Sequence, residues 1–308
     1  MTAPSVDVQD VRKRYGDTDV VIDLSFDVHP GEVLGFLGPN GSGKTTTMRM
    51  ILDIVRPMQG RIAVFGEPPG VEHQARVGYL PEDRGLYRDV KIIDTLTYFG
   101  SLRGMSRKEA HDKAMGLLTE MGLADSAEKK AAELSRGMHQ KAQLIATILN
   151  DPDLLIIDEP FQGLDPVNAD MLKGVVRAQK ERGAAVIMST HDMSDAQTLC
   201  DRILLIDHGR RLLYGTVEEV RDAFSDGAVE VSGSDVPTSA EALSSVTDVN
   251  AVDGAVRYLI RDDASPQDLF RELAQSGAQV ERFAVQAPSL DEIFIRTVAG
   301  DPRAEAVR

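Results

Sequence analysis

The chain has 308 residues, of which 42 % are hydrophobic and 27 % charged, enough apolar material for one large or two ordinary globular domains. Its formal net charge of −15 argues against a general basic surface for nucleic acid, and its single cysteine, Cys200, excludes an intramolecular disulfide. No apolar run reaches the roughly 18 residues of a membrane span and no secretory signal is visible, so we expect a soluble, cytoplasmic protein.

The first part of the chain predicts short strands around a glycine-rich loop. Residues 5–37 alternate apolar runs with turn residues, a pattern typical of strands. The stretch LGFLGPNGSGKTTTMRMILDIV then predicts a strand, a loop and a helix, and GRIAVFG and ARVGYL predict further strands. A loop between a strand and a helix start is the usual context of a phosphate-binding loop.

The middle of the chain, residues 92–150, predicts a mostly helical insert. Helical spacing of apolar residues runs through IIDTLTYFGSLRG, SRKEAHDKAMGLLTEMG and the segment from Met138, with Gly104 and Gly122 as stops. The runs DLLIIDEP and AAVIMST that follow are continuously apolar, as expected of buried parallel strands. Helices are predicted at about 167–182 and after AAVIMST, and RILLIDHG predicts another strand.

The pattern changes after about residue 224 to that of a small α+β domain. AVEVSG, NAV and AVRYLI predict strands, the last two joined by an Asp-Gly turn at Asp253. SPQDLFRELAQSG predicts a helix, AQVERFAV a strand, and SLDEIFIRTVAG a helix that opens with Ser289 and Glu292 in capping-box spacing. The predicted domains are 1–224, with a helical subdomain at about 83–150, and 225–308.

The octapeptide GPNGSGKT, residues 38–45, matches the P-loop pattern GxxxxGK followed by Ser or Thr. The glycines let backbone N–H groups point at phosphate oxygens, Lys44 is expected at the β- and γ-phosphates, and the Thr45 hydroxyl on Mg²⁺. The predicted strand before it and helix after it disfavour a plain glycine-rich turn. The residues predicted to contact nucleotide here are Gly38, Asn40, Gly41, Ser42, Gly43, Lys44, Thr45 and Thr46.

Four further candidates end predicted strands. Acids at a strand end are common, but behind a P-loop we expect Asp158 to hold the metal and Glu159 to polarise the water that attacks the γ-phosphate. A lone histidine is usually structural, yet His191 is expected here to contact the γ-phosphate and hold that water and Glu159 in line. Tyr15, otherwise a plain surface or core aromatic, is expected to offer its ring face to adenine.

The ordered motifs GPNGSGKTT, YLPED, ELSRGMHQ, LLIIDEP, GLDP and STH resemble the ATP-binding subunit of ABC transporters over residues 5–220. YLPEDRGLY, LSRGM and PSLDEIF resemble one branch, the sodium-efflux and multidrug-export ATPases with an extra C-terminal domain. The resemblance implies an α/β fold of the P-loop NTPase class and ABC type. Its mixed sheet core would carry an antiparallel β subdomain and a helical subdomain, followed by a small C-terminal α+β domain.

The resemblance also implies a catalytic site shared between two copies of the chain. In the family, the residues at Ser135 and Gly137 contact the γ-phosphate of ATP held by the partner subunit, and the loop of Asp165 reaches across the dimer. A helix start can hold the terminal phosphate of a nucleotide that another chain bound first. We therefore expect a second ATP-binding subunit, most simply an identical one, with ATP and Mg²⁺ between the copies.

Two departures from the family pattern concern this site. Arg136 and Met138 replace the second Gly and the Gln of the usual LSGGQ, so Met138 supplies no side-chain amide. Glu82 stands where the metal-sensing loop usually has Gln. A carboxylate can still ligate Mg²⁺, but it adds negative charge near the triphosphate.

The functional interpretation is the ATPase subunit of an ABC exporter that acts on a separately encoded integral membrane permease. The permease would contact the groove beside Glu82 and the helical insert, which places this chain on the inner face of the cell membrane. The substrate is open, and import is an alternative direction. The C-terminal domain is expected to stabilise the dimer, with regulation or permease contact as alternatives.

Two other classes of function compete with this interpretation. A soluble, non-transport ABC ATPase of the translation type usually has two cassettes, and the repair type a long coiled-coil insert; this chain has neither. A P-loop kinase would not need ELSRGMHQ or STH. No nucleic-acid partner is expected.

Overall fold

The structure of the chain is a computed structural model that describes residues 3–82, 85–225, 227–252, 254–261, 263–286 and 288–307. Asp83 and Arg84 of YLPEDRGLY and Asp253 of the predicted turn lie outside these residues. The chain divides into two compact units, Met1–Val217 and Glu218–Val307. The domain boundary after residue 224 stays a prediction.

An antiparallel sheet of three strands begins the first unit. It contains β1 (Val6–Tyr15), β2 (Thr18–Val28) and β4 (Gln59–Val64), in the spatial order β2-β1-β4. Val6 and Val8 of β1 are buried, because alternate residues of a strand point to the same face. This sheet is the predicted antiparallel β subdomain.

A second sheet of six strands forms the centre of the first unit and is mixed, as predicted. All neighbouring strands are parallel except the last pair, which is antiparallel. In spatial order the strands are β5 (Val77–Leu80), β6 (Leu154–Asp158), β7 (Ala185–Thr190), β3 (Val33–Leu37), β8 (Arg202–Asp207) and β9 (Arg210–Thr216).

The central strand β6 shows why these strands are continuously apolar. Leu155 and Ile157 pack into the cluster that contains the helical insert, whereas Leu154 and Ile156 pack into the cluster shared with the antiparallel sheet. Both faces of the strand are therefore buried, and an alternation of apolar and polar residues would leave polar groups in the core. The run ends at Asp158, which places this carboxylate at the carboxyl edge of the sheet.

The predicted helices of the first unit are present. Gly104 and Gly122 follow two of them with φ of 95° and 67°, a left-handed conformation that suits glycine at a helix end. Among the described residues, no helix is both long and apolar enough to cross a membrane. The helices are α1 (Lys44–Ile51), α2 (Ile92–Leu102), α3 (Arg107–Glu120), α4 (Arg136–Ile148), α5 (Pro166–Glu181) and α6 (Met193–Leu199).

The second unit contains a four-stranded antiparallel sheet with helices, as predicted for an α+β domain. Ser289 and Glu292 form the predicted capping box at the start of its last helix. The strands lie in the order β11-β12-β10-β13. The elements are α7 (Val217–Ala223), β10 (Ala228–Ser234), β11 (Val246–Val252), β12 (Ala255–Ile260), α8 (Pro266–Ser276), β13 (Gln279–Val285) and α9 (Leu290–Val298).

Candidate functional site

The loop between β3 and α1 has a shape that depends on glycine. Gly38 and Gly43 have φ of 142° and 110°, a region that L side chains rarely adopt. A Cβ on Gly38 would lie 2.1 Å from the carbonyl oxygen of Ile206, and one on Gly43 would lie 2.6 Å from that of Val20. The neighbouring backbone therefore leaves room for glycine alone, and the loop curls tightly in front of the helix start.

We expect Gly38→Ala to lower the free energy of unfolding by at least about 2 kcal/mol, because it adds a steric clash to a strained backbone. Gly41→Ala is the matched control, since Gly41 has φ of 82° but no atom within 4 Å of its would-be Cβ. Strain alone should cost this control about 1 kcal/mol. Chemical denaturation without nucleotide measures both variants, and equal losses would contradict the assignment of the clash.

The Lys44 ammonium lies at the centre of this loop. Its Nζ donates hydrogen bonds to the carbonyl oxygens of Gly38 and Pro39, at 2.6 Å and 3.2 Å, and lies 3.8 Å from Glu159 Oε1. Burial lowers the pKa of Lys44, while the negative charges of Glu159, Asp158 and Glu82 oppose that shift. The loop thus holds a buried cation that faces acidic groups.

Asp158 connects three elements at the carboxyl edge of the central sheet. Its Oδ2 accepts a hydrogen bond from Thr45 Oγ1 at 3.0 Å, and its Oδ1 accepts one from Ser189 Oγ at 2.5 Å. Ser189 is opposite Asp158 in the register of β6 and β7. A carboxylate beside a hydroxyl is the oxygen-ligand set that Mg²⁺ prefers. Ser189 was not predicted from the sequence.

Glu159, which directly follows Asp158, is held by hydrogen bonds at both its backbone and its side chain. Its backbone has a φ of 47°, and its N–H donates to Ser189 Oγ at 2.9 Å. His191 Nδ1 lies 2.8 Å from Glu159 Oε2 and donates to that carboxylate. The predicted general base and the predicted histidine are therefore in direct contact, and the left-handed backbone of Glu159 is a strained conformation of the kind found at functional sites.

The arrangement of these side chains fits a nucleoside triphosphate with a divalent cation. Ser42 Oγ and Glu159 Oε1 are buried and have no hydrogen-bond partner among the described residues. A buried polar atom without a hydrogen bond is costly, so Ser42 Oγ is suited to a phosphate and Glu159 Oε1, which lies 3.8 Å from the Lys44 ammonium, to a water molecule. Thr45 and Asp158 would hold Mg²⁺, whose charge would offset that of the phosphates.

The start of α4 forms a second group of predicted residues. Ser135 caps the helix by accepting a hydrogen bond from the N–H of Met138 at 3.4 Å. A Cβ on Gly137 would lie 3.1 Å from Asn168 Nδ2, and Asn168 donates to Asp165 from its backbone at 3.1 Å and from its side chain at 2.5 Å. Asn168, which the sequence did not single out, thus lies between the two residues predicted to act across a dimer.

The same helix start contacts the segment that follows Glu159. Gln140 Nε2 donates to the carbonyl oxygen of Pro160 at 3.4 Å, and the Arg136 guanidinium lies 2.8 Å from the position of a Cβ on Gly163. Within the described chain, no hydrogen bond or ion pair joins Ser135 to Lys44.

Comparisons with known proteins identify the family. Residues 21–162 match the family described as ABC transporter, and residues 215–298 match the one described as ATP-binding protein DrrA1-3-like, C-terminal domain. The ABC transporter ATP-binding protein YhaQ of Bacillus subtilis is 34 % identical over 94 % of this chain and 97 % of its own length. This chain belongs to the ATP-binding subunits of ABC transporters.

Other relatives of this ABC ATP-binding subunit support the same family assignment. The Nod factor export ATP-binding protein I of Burkholderia lata is 35 % identical over 96 % of this chain and 97 % of its own length. A solved ATP-binding subunit of an ABC transporter has 32 % identity and a TM-score of 0.67, and covers 71 % of this chain and 92 % of that one. The predicted fold class is confirmed, and the chain is an ATPase.

Tyr15 and Glu82 lie at the edges of the described site of this ABC subunit. Tyr15 ends β1 and pairs with Thr18, with its ring half-exposed and the Lys13 ammonium 5.3 Å from its centroid. The same hairpin includes Val20, whose carbonyl oxygen approaches Gly43. Glu82 is exposed, and its charge acts on the pKa of Lys44. The adenine and metal roles of these two residues stay predictions.

Proposed function

We propose that this chain powers an ABC exporter by closing as a dimer on two ATP molecules and acting on a separately encoded membrane permease. The observation that carries the proposal is a groove of about 580 Å³ in the first unit, between β5, α2 and α4. Export is favoured because the Nod factor export proteins resemble this chain over nearly its whole length. The chain would then lie in the cytoplasm, against the inner face of the cell membrane.

The groove has the character of a protein-binding surface. Its lining is mainly apolar and includes Ile54, Val71 and Leu102, whose exposed fractions are 60 %, 74 % and 64 %. A contiguous exposed apolar surface in a water-soluble unit marks an interaction site. Pro81 and Gly85 also line the groove, on either side of Glu82 in the chain. A permease segment bound there would therefore touch the loop whose charge acts on Lys44.

In this proposal each copy contributes half of two catalytic sites. Lys44 and the loop glycines bind the phosphates, Thr45 and Asp158 hold Mg²⁺, and Glu159 accepts a proton from the attacking water. The contact of 2.8 Å with His191 orients Glu159 for that step. The start of α4 with Ser135 and Gly137 would close the site of the partner copy, because free N–H groups at a helix start attract phosphate. Hydrolysis then removes the phosphate that joins the two halves.

The test is co-purification with the membrane protein encoded next to this chain, solubilised in detergent. Leu102→Glu places a charge in the apolar groove, and we expect at least about 10-fold weaker capture of the permease. Met58→Glu is the matched control, since Met58 is also a large exposed apolar residue but does not line the groove. Capture of ribosomes in place of the membrane protein would favour the soluble, non-transport class instead.

A further inference from the structure

The connection between β4 and β5 brings three metal-binding side chains together. Glu67 follows the end of β4, while Glu72 and His73 lie in a short 3₁₀ helix, Val71–Arg76, that leads into β5. One oxygen of each carboxylate and a ring nitrogen of the histidine all lie within 4.8 Å of one another. Among the described residues, this is the one group of three or more His, Cys, Asp or Glu side chains with that property.

The imidazole of His73 is fixed with one nitrogen directed at the carboxylates. Its side chain is only 9 % exposed, and its ring packs edge-on against Phe65 with the centroids 5.8 Å apart. His73 Nε2 lies 3.9 Å from Glu67 Oε2 and 3.8 Å from Glu72 Oε1. The carbonyl oxygen of Pro68 is 3.2 Å from the same nitrogen. A buried nitrogen donor therefore faces three oxygen atoms.

The backbone of the connection holds the two glutamates in place. The N–H of Val64 donates to the carbonyl oxygen of Glu67 at 2.7 Å, and the N–H of Glu67 donates back at 3.1 Å. A Cβ on Gly70 would lie 2.4 Å from Glu72 Oε1. The space that a side chain at position 70 would fill is thus taken by the Glu72 carboxylate, which folds back towards His73.

The two carboxylates have no basic partner to balance their charge. Within the described parts of the chain, neither Glu67 nor Glu72 forms an ion pair with a lysine or arginine; their ion-pair contacts are with the imidazole. The nearby Arg76 guanidinium is paired with Asp153 instead, at 2.7 Å. Carboxylates within 4.8 Å of each other repel, and a bound cation removes that repulsion.

We propose that Glu67, Glu72 and His73 bind one Zn²⁺ ion. An imidazole with two carboxylates suits this metal, which takes nitrogen and oxygen ligands at about 2 Å. Ligand atoms around a tetrahedral Zn²⁺ are about 3.4 Å apart, slightly closer than the 3.8 Å and 3.9 Å found here, so small rotations of the exposed glutamates complete the site. A water molecule or the Pro68 carbonyl oxygen fills the fourth position.

The bound ion would connect the two sheets of the first unit. Glu67 is joined by backbone hydrogen bonds to the last residue of β4, in the three-stranded sheet, and His73 lies in the helix that leads into β5, at the edge of the six-stranded sheet. A cation held by both residues shortens the free connection between these sheets. Zn²⁺ should therefore stabilise the folded chain, because it binds the folded arrangement of ligands and not the unfolded one.

The experiment is calorimetric titration of the untagged chain with Zn²⁺, without nucleotide and with millimolar Mg²⁺ to occupy sites made only of oxygen ligands. We expect one Zn²⁺ per chain with a Kd on the order of micromolar. Glu67→Gln and Glu72→Gln should each weaken binding at least about 10-fold, and His73→Gln at least about 100-fold. Zn²⁺ should raise the unfolding temperature of the unmodified chain but not that of His73→Gln.

His111→Gln is the matched control. His111 Nδ1 lies 3.6 Å from Asp112 on the exposed surface of α3, where the described residues supply no third ligand, so Zn²⁺ affinity should be unchanged. Zinc-edge X-ray absorption should show one imidazole among oxygen ligands. Absence of micromolar binding would overturn the inference and leave a protonated His73 between the carboxylates. Equal affinity in both glutamate variants, which alter exposed side chains only, would overturn it as well. Neither outcome bears on the proposed function.

Discussion

The Glu159→Gln variant is expected to bind ATP normally and to hydrolyse it at least about 100-fold more slowly than the unmodified chain. Glu159 Oε1 is buried without a hydrogen-bond partner among the described residues, and Oε2 is held by His191. An amide has nearly the same shape but cannot accept the proton of the attacking water. In the proposed pair, the phosphate that joins the two copies would then not be removed, so a dimer should accumulate with ATP.

Phosphate release measures the first effect, and size-exclusion chromatography with ATP and Mg²⁺ measures the second. Glu120→Gln serves as the control, because it replaces the same carboxylate with an amide at the exposed end of α3. Its turnover should equal that of the unmodified chain. Near-normal turnover by Glu159→Gln would remove Glu159 from the role of general base.

The double variant Ser135→Ala, Gly137→Glu is expected to keep nucleotide binding by the single chain and to lose ATP-driven dimerisation. Ser135 and Gly137 make no described contact with Lys44 in their own chain, so the phosphate loop should be undisturbed. In a head-to-tail pair, however, the new carboxylate would face the partner's γ-phosphate, and the two negative charges would repel each other. ATP hydrolysis should fall with the dimer, by about 100-fold or more.

A control at another capped helix tests whether the loss of a cap and a new surface acid are enough to prevent dimerisation. The pair Ser106→Ala, Gly116→Glu removes the capping serine of α3 and adds the same acid where no atom lies within 4 Å of the would-be Cβ. It should lose a little stability, about 1 kcal/mol, and still dimerise. Nucleotide binding is followed by a fluorescent ATP analogue, and dimerisation by light scattering. Unchanged dimerisation by the Ser135 and Gly137 variant would contradict the shared site.

Features set by nearby residues were predictable from the sequence. The helix stops at Gly104 and Gly122 depend on a left-handed residue that glycine adopts at little cost, and the capping box of Ser289 and Glu292 depends on a spacing of three. The strand that ends at Asp158 was likewise evident, because a parallel strand buried on both faces is continuously apolar. Each of these signals lies within a few residues of the feature it predicts.

Features set by the sheet order were not predictable. Ser189 holds both Asp158 and the backbone of Glu159, yet it lies about thirty residues away and becomes their neighbour only because β7 pairs with β6. The one sequence feature that marks Ser189 is its position in the motif STH, directly before Thr190 and His191. A single sequence does not show that this motif lies beside Asp158. Asn168 was missed for a similar reason, since only the packing of α4 against α5 brings it within 3.1 Å of the position of a Cβ on Gly137.

The strand β9 and the helix α7 were also missed, for reasons of pattern. The strand reads RRLLYGT, so its two arginines and its glycine hide the apolar alternation. It pairs antiparallel with β8 at the edge of the central sheet, where one side of the strand needs no neighbour. The helix α7 is seven residues long and follows β9 directly, so no turn residues mark its start in the sequence.

The contact between α4 and the segment after Glu159 lies within one chain and involves Gln140 and Arg136. In the proposed pair, Glu159 serves the ATP of its own copy, whereas Ser135 serves the ATP of the other. Each polypeptide would therefore connect two catalytic centres through a few packed side chains, and closely packed interiors transmit displacement. In that proposed pair, turnover at one centre would bias the other, so the two sites would act cooperatively and not as independent enzymes.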